Sequence, residues 1–185
     1  MLKGLCRTLL KWSGWTVEVT VPKRDKCILC VAPHTSNWDF ILGELHYTAE
    51  GRKAGFLMKK EWFFWPLGPI FRKMGGIPVE RSKKSSLTDQ IAETAQRADY
   101  FNFAVTPEGT RKLTTKWRHG FYFIALKAQL PIQLYAIDGV DKKIVCTKEI
   151  MPTGNFEVDY REIMDYYRPY VGRAIKPEKF ALDEV

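Results

Sequence analysis

The chain has 185 residues, of which 45% are hydrophobic and 27% charged, a composition typical of one globular domain with a buried core. It has no run of the ~18 apolar residues that a transmembrane helix needs, and its four scattered cysteines exclude a disulfide framework. The net charge is +8. Residues 149–185 hold eight acidic and only five basic side chains, so the positive charge is concentrated in the first 148 residues. We expect that part of the chain to meet anions such as nucleic acid, anionic lipid or phosphorylated small molecules.

The first predicted element is a short basic amphipathic helix over residues 2–12. Its apolar face consists of Leu2, Leu5, Cys6, Leu9 and Leu10. Its other faces carry Lys3, Arg7 and Lys11. Two interpretations remain open. The helix either packs on the domain, or residues 1–15 contact an anionic membrane surface.

Strands alternate with helices through most of the remaining chain. The predicted strands cover residues 16–20, 26–32, 53–58, 77–79, 101–105, 131–137 and 143–147. The predicted helices cover residues 36–50, 85–99, 117–129 and 159–170. This alternation indicates an α/β protein: a single domain over residues 1–185, with a mixed, mostly parallel sheet flanked by helices.

The cysteines and the aromatic residues are expected to serve mainly structural purposes. Cys27 and Cys30 lie in one predicted buried strand and would face opposite sides of it, so neither a metal site nor a redox site is predicted. Phe56 and the segment 62–71 are rich in aromatic residues. We expect most of these to be core, although Pro66 and Pro69 disfavour a regular core helix and leave room for an interfacial loop.

The junction of the second strand and the next helix is the most informative part of the sequence. Ser36 and Asp39 form a capping pattern that starts the helix, so His34 lies in the turn at the carboxyl end of a strand. In that position His34 and Asp39 can converge. Asp39 would then orient the imidazole, and the helix N-terminus would keep it neutral as a general base. The alternative is that Asp39 only caps the helix and His34 is a polar turn residue.

Two further turns carry arginines after predicted strands. Arg81 follows the short strand behind Gly75 and Gly76, and arginine suits bidentate contact with phosphate. The run from Pro107 to Arg111 follows strand 101–105, and its glycine permits close approach of a ligand. All three turns are predicted to open onto one edge of the sheet. Solvated basic turns are the alternative interpretation.

Together these motifs resemble those of the glycerophospholipid acyltransferase superfamily, which includes 1-acylglycerol-3-phosphate acyltransferases. The pair His34 and Asp39 matches the family's His-x-x-x-x-Asp block, and Gly75 to Arg81 its glycine-rich block. Pro107 to Arg111 matches the Pro-Glu-Gly-Thr-Arg block, and Leu130-Pro131-Ile132 a fourth, in the family's order. The resemblance covers roughly residues 27–140 and implies a glycerol-phosphate acyltransferase-like fold.

The resemblance also implies an activity and a set of site residues. An acyl group would pass from acyl-CoA or acyl carrier protein to the free hydroxyl of a lysophospholipid, with 1-acylglycerol-3-phosphate as the expected acceptor and phosphatidate as the product. His34 would be the general base and Asp39 its partner. The expected acceptor site consists of Arg81, Glu108, Gly109, Thr110 and Arg111, with Lys59 as a weaker candidate.

No cofactor, metal ion or nucleic acid is expected to take part. The expected location is the cytoplasm, in peripheral contact with a membrane. The aromatic residues near position 62 would then line an acyl tunnel or press into lipid.

Two other functions remain open: a thioesterase that uses the same His–Asp pair on water, and a non-catalytic, basic membrane-binding module. The absence of a Gly-x-Ser-x-Gly nucleophile elbow favours direct transfer over an acyl-enzyme.

Overall fold

The computed structural model describes residues 2–73, 75–79 and 86–183, with the side chains of 58, 59, 73 and 79 left out. The helices are α1 (Leu2–Trp12), α2 (Asn37–Ala49), α3 (Leu67–Lys73), α4 (Leu87–Arg97), α5 (Gly120–Ala128) and α6 (Phe156–Tyr167). The strands are β1 (Thr16–Val19), β2 (Lys26–Ala32), β3 (Phe56–Lys59), β4 (Gly76–Val79), β5 (Phe101–Val105), β6 (Ile132–Asp138) and β7 (Lys143–Ile150). Short 3-10 helices lie at Lys60–Trp62, Arg168–Tyr170 and Pro177–Lys179.

Five strands form one sheet in the order β1-β7-β6-β2-β5. Strand β2 pairs in parallel with both β5 and β6, β1 pairs in parallel with β7, and β6 pairs with β7 antiparallel. Strands β3 and β4 form a second parallel pair, which a parallel bridge between Gly55 and Phe103 joins to β5. The predicted mixed, mostly parallel α/β domain is therefore confirmed. Its consequence is that β2, β5 and β6 all end at the same edge of the sheet.

The two faces of the sheet bury separate hydrophobic clusters. Along β2, Cys27 and Leu29 face the cluster that includes Cys6 and Leu10 of α1, whereas Ile28 and Cys30 face the cluster built by α4, α5 and α6. This alternation is what a two-residue side-chain period requires of a strand buried on both sides. Cys27 and Cys30 therefore point to opposite faces, as predicted, and burial raises the pKa of each thiol to about 12.

Helix α1 both packs on the domain and leaves apolar surface exposed. Its buried residues are Cys6 and Leu10, which lie against α2. Leu5 and Leu9 of the predicted apolar face are exposed, and Trp12 is 90% exposed. The amphipathic face is thus wider than the part that α2 covers.

The aromatic segment 62–71 does not form the core that we expected. Helix α3 begins at Leu67 with Pro69 in its first turn, where a proline is tolerated because the first amides of a helix need no intrahelical acceptor. Trp62, Phe64, Trp65 and Ile70 are exposed. The expectation of a core was wrong because α3 packs beside β4, outside the five-stranded sheet, and is only seven residues long.

Candidate active site

The turn after β2 is shaped by the first residues of α2. Ser36 caps the helix, and its hydroxyl accepts a hydrogen bond from the amide of Trp38 at 3.1 Å. In return Oδ2 of Asp39 accepts from the amides of Thr35 and Ser36, each at 2.6 Å. This is the predicted capping box, and it fixes the backbone next to His34.

His34 and Asp39 converge as predicted, but they do not form a direct hydrogen bond. Nδ1 of His34 lies 3.7 Å from Oδ2 of Asp39, which is an ion-pair distance and too long for a hydrogen bond. The reason is that two backbone amides already occupy this oxygen. The other oxygen, Oδ1, is buried and has no partner among the described residues. Catalytic hydrogen bonds of this kind are often long in a free enzyme and shorten in its complexes.

The environment of His34 favours the neutral imidazole. Burial lowers the pKa of His34, and the nearby positive charge of Arg111 lowers it further. The predicted neutral state agrees with this direction, although the causes are burial and Arg111 rather than the helix terminus. A neutral imidazole can accept a proton, which is the requirement for a general base.

We expect the pKa of His34 to lie below the ordinary value of 6.5 and to rise towards that value in Arg111→Met. The substitution removes one of the two causes of the shift and leaves the burial in place. An NMR titration of the His34 ring proton, assigned from the spectrum of His34→Gln, measures the change. Lys112→Met is the matched control, since Lys112 is not a cause of the shift.

Because the base must be neutral to act, the acid limb of the pH–rate profile should move to higher pH in Arg111→Met. A wild-type His34 pKa at or above 6.5 would contradict this description of its environment.

Glu108 holds the same turn from a second element. Its carboxylate is buried, and Oε1 accepts a hydrogen bond from the amide of His34 at 2.6 Å. Burial raises the pKa of Glu108 to about 7. The bond from His34 opposes this rise, and the charge of Asp39 adds to it. Glu108 lines neither of the cavities described below. Its placement therefore differs from the expected role in the acceptor site, because its side chain turns inward and positions His34.

We expect Glu108→Ala to lower the free energy of unfolding by about 1–3 kcal/mol and to reduce activity, since the amide of His34 would lose its acceptor. Glu108→Gln keeps an amide oxygen in the same place and removes a buried charge, so it should stay close to wild type in both respects. Urea denaturation and the rate of turnover measure the two effects. Equal losses of stability and activity in both variants would mean that the turn requires the negative charge of Glu108 rather than its hydrogen-bond acceptor.

A basic cavity of about 630 Å³ opens beside His34. The loop after β5 lines it with Thr106, Gly109, Thr110, Arg111 and Lys112. Gly109 has a φ of +63°, a left-handed backbone conformation that favours glycine at this point of the loop. Among the described residues, neither Arg111 nor Lys112 is paired with a carboxylate.

An apolar cavity of about 580 Å³ lies between α2 and the sheet. Its walls include Leu29, Val31, Phe40, Phe56, Val105 and Ile137. Its polar lining residues include His34, Asp39 and Arg111. Gly43 of α2 also lines it, and a Cβ built on Gly43 would meet nothing within 4 Å. His34 and Arg111 thus border both cavities.

The remaining predicted residues are less well defined. Arg81 lies outside the described residues. Lys59 ends β3, which runs parallel to β4, but its side chain is not described. The sequence prediction missed Lys179, which contributes to the basic cavity from the last 3-10 helix. No local motif could have indicated it, because it lies in the acidic C-terminal part of the chain.

Comparisons with known proteins agree with this architecture. The family model described as Acyltransferase matches residues 16–137, which is more than half of the chain. The crystal structure of the 1-acyl-sn-glycerophosphate acyltransferase PlsC from Thermotoga maritima is similar in fold, with a TM-score of 0.58. The two are 20% identical over 91% of this chain and 76% of that chain. No sequence among the curated proteins matches significantly.

Proposed function

This chain belongs to the acyltransferase family, and on that premise we propose that it transfers a fatty-acyl group from acyl-CoA or acyl carrier protein to the free hydroxyl of a lysophospholipid. One observation carries the proposal. His34 lies at the junction of an apolar cavity of about 580 Å³ and a basic cavity of about 630 Å³. An acyl chain suits the first and a phosphate the second, so the reacting groups would meet at the imidazole.

The proposed reaction is a direct transfer within a ternary complex. Neutral His34 removes the proton from the acceptor hydroxyl as the oxygen attacks the thioester carbonyl. The tetrahedral intermediate then collapses, the carbon–sulfur bond breaks, and the thiolate takes the proton from the imidazolium. The negative charge of Asp39 would stabilise the imidazolium between these steps. Enclosure of the chain in the apolar cavity would keep water from the thioester.

The charge of the basic cavity supports an acceptor that carries a phosphate. Arg111 and Lys112 have no carboxylate partner among the described residues, so an anion would neutralise them. We therefore propose 1-acylglycerol-3-phosphate as the acceptor and phosphatidate as the product. Arg81 and Lys59 remain predicted contributors. Lys59 ends β3 and Arg81 follows β4, and these two strands run parallel to each other and, through the Gly55–Phe103 bridge, to β5.

The apolar surface of α1 supports contact with an anionic membrane. Leu5, Leu9 and Trp12 are exposed, and Lys3 and Arg7 flank them. Phe40 and Ile41 at the apolar cavity are exposed as well, so a lipid chain could enter the cavity beside them. Within residues 2–73, 75–79 and 86–183, no helix combines the length and hydropathy required to cross a bilayer.

Replacing Leu5 and Leu9 together with aspartate should weaken binding to anionic vesicles by at least tenfold, because apolar area is lost and negative charge is added. Vesicle sedimentation measures the binding. The matched control replaces Val140 and Val158 together with aspartate, which adds the same two charges at exposed apolar positions outside α1. Unchanged binding of the double variant would show that α1 is not the membrane contact.

Thiol release from long-chain acyl-CoA, measured with and without 1-acylglycerol-3-phosphate, tests the proposed function. Release that requires the acceptor, together with formation of phosphatidate, would support it. Release that is independent of the acceptor would indicate a thioesterase instead. If neither acyl-CoA nor acyl-loaded carrier protein reacts, while vesicles still bind, the chain is a membrane-binding module and the proposal is wrong.

A further inference from the structure

The C-terminal segment 171–183, here called the strap, crosses the edge of the sheet at which the site lies. Its first half is fastened where β6 ends. The amide of Gly139 donates to the carbonyl of Arg173 at 2.6 Å, and the guanidinium of Arg173 contacts Asp138 at 2.8 Å and Asp141 at 2.6 Å. A Cβ on Gly139 would lie 2.7 Å from the amide nitrogen of Ile175, so the close crossing depends on glycine.

The second half of the strap is fastened to the start of α5. The carboxylate of Asp183 accepts hydrogen bonds from the amide of Trp117 at 2.9 Å and from the hydroxyl of Tyr160 at 2.7 Å. Oδ2 of Asp183 also lies 2.7 Å from Nε2 of His119, so the partner of this histidine is distant from it in the sequence. Phe180 is buried in the core beside these contacts. Anchors at both ends restrict the residues between them.

The middle of the strap lies against the catalytic turn. The amide of Lys176 donates to the hydroxyl of Thr35, a buried residue next to His34, at 3.2 Å. The 3-10 helix Pro177–Lys179 follows directly. Lys179 is half-buried and lines the basic cavity together with His34 and Arg111.

The charges around this cavity are all of one sign. Arg111, Lys112 and Lys179 line it, no acidic residue is among its lining residues, and none of the three has a carboxylate partner in the described part of the chain. Three cations in one concave site repel each other unless an anion binds between them. A phosphate monoester carries nearly two negative charges at neutral pH and several strong acceptor oxygens, which suits such a site.

We propose that Lys179 is a phosphate-binding residue of this enzyme and that the strap holds it at the site. The proposal rests on the acyl transfer proposed above and adds a substrate contact from beyond residues 16–137, which the family model matches. The phosphate would belong either to the acceptor lipid or to the donor coenzyme. The two sources share the same chemistry and are separated by the probes below.

The test compares Lys179→Met with Lys176→Met. The control removes the same charge from the same strap, at an exposed side chain that does not line the cavity. Calorimetric titration with glycerol 3-phosphate reports on the acceptor phosphate, and titration with coenzyme A reports on the donor phosphates. Neither probe requires turnover, so a failure of the proposed acyl transfer does not affect the outcome. Thermal unfolding of each variant shows whether the fold is intact.

We expect Lys179→Met, but not Lys176→Met, to weaken binding of one probe by about tenfold, as for the loss of one charge-assisted hydrogen bond. The weakened probe identifies the source of the phosphate, and Lys179→Arg should restore most of the affinity. If turnover is detected, KM for the substrate from the same source should rise while kcat stays unchanged. Equal affinities in both variants and wild type, or equal losses in both variants, would overturn the proposal.

Discussion

We expect His34→Ala to lower kcat for acyl transfer by about 10²–10⁴-fold, the usual contribution of a general base, while KM changes little. His34 borders both cavities, so its imidazole lies where the acceptor hydroxyl and the thioester would meet. The residues proposed to bind the phosphate, Arg111 and Lys112 among them, are separate from His34 and remain in the variant. Steady-state thiol release at saturating donor measures the effect.

His34→Gln is the companion variant, because glutamine keeps hydrogen-bonding capacity but cannot act as a base near neutral pH. It should be as inactive as His34→Ala and should bind glycerol 3-phosphate as wild type does. Wild-type activity should fall as the pH drops below the His34 pKa, whereas the residual activity of the variants should show no such step. A variant that retains more than about a tenth of kcat would rule out His34 as the base.

The second large effect is expected at Gly43→Phe, which should shift the acyl preference from long chains towards short ones by about a hundredfold. Gly43 faces open space in the apolar cavity, one helical turn beyond Asp39 and about 6 Å further along α2. A phenylalanine there would fill the cavity at that depth. Each methylene that can no longer be buried costs about 0.8 kcal/mol, so excluding three to four of them lowers the relative kcat/KM for long chains by about a hundredfold.

Gly43→Ala is the matched control for this change. Alanine fills little of the cavity and should stabilise α2 by up to about 1 kcal/mol, with no change in chain-length preference. The measurement is a competition between long-chain and short-chain acyl-CoA. If Gly43→Phe keeps the wild-type preference at wild-type stability, the acyl chain does not occupy this cavity.

These predictions separate two parts of one catalytic turn. The proposed chemistry of this turn depends on His34, which lines the two cavities. Its geometry is held by two buried carboxylates, Asp39 from the following helix and Glu108 from the loop after β5. Each carboxylate keeps one buried oxygen without a partner in the described residues.

Much of the fold follows from local patterns in the sequence. Strand β2 was predicted with its observed limits, because a continuous apolar run bounded by a proline admits few other structures. The start of α2 was predicted because Ser36 and Asp39 form a capping box, in which both side chains accept from backbone amides of the first turn, and this pattern needs only four consecutive residues. The grouping of the His34 turn with the loop 106–112 also followed, since parallel strands end at one edge of a sheet.

Interactions between distant segments could not be predicted in this way. Four features depend on which segments pack together. They are the exposure of Trp62 and Trp65, the buried position of Glu108, the open space at Gly43 and the contribution of Lys179 to the basic cavity. The sequence by itself therefore determined the fold class, the capped turn that carries His34 and the residue types that meet at the edge of the sheet, because short-range periodicity and capping encode them. Only the tertiary structure decided which of those side chains face a cavity and which brace the backbone, because that choice depends on contacts among residues far apart in the chain.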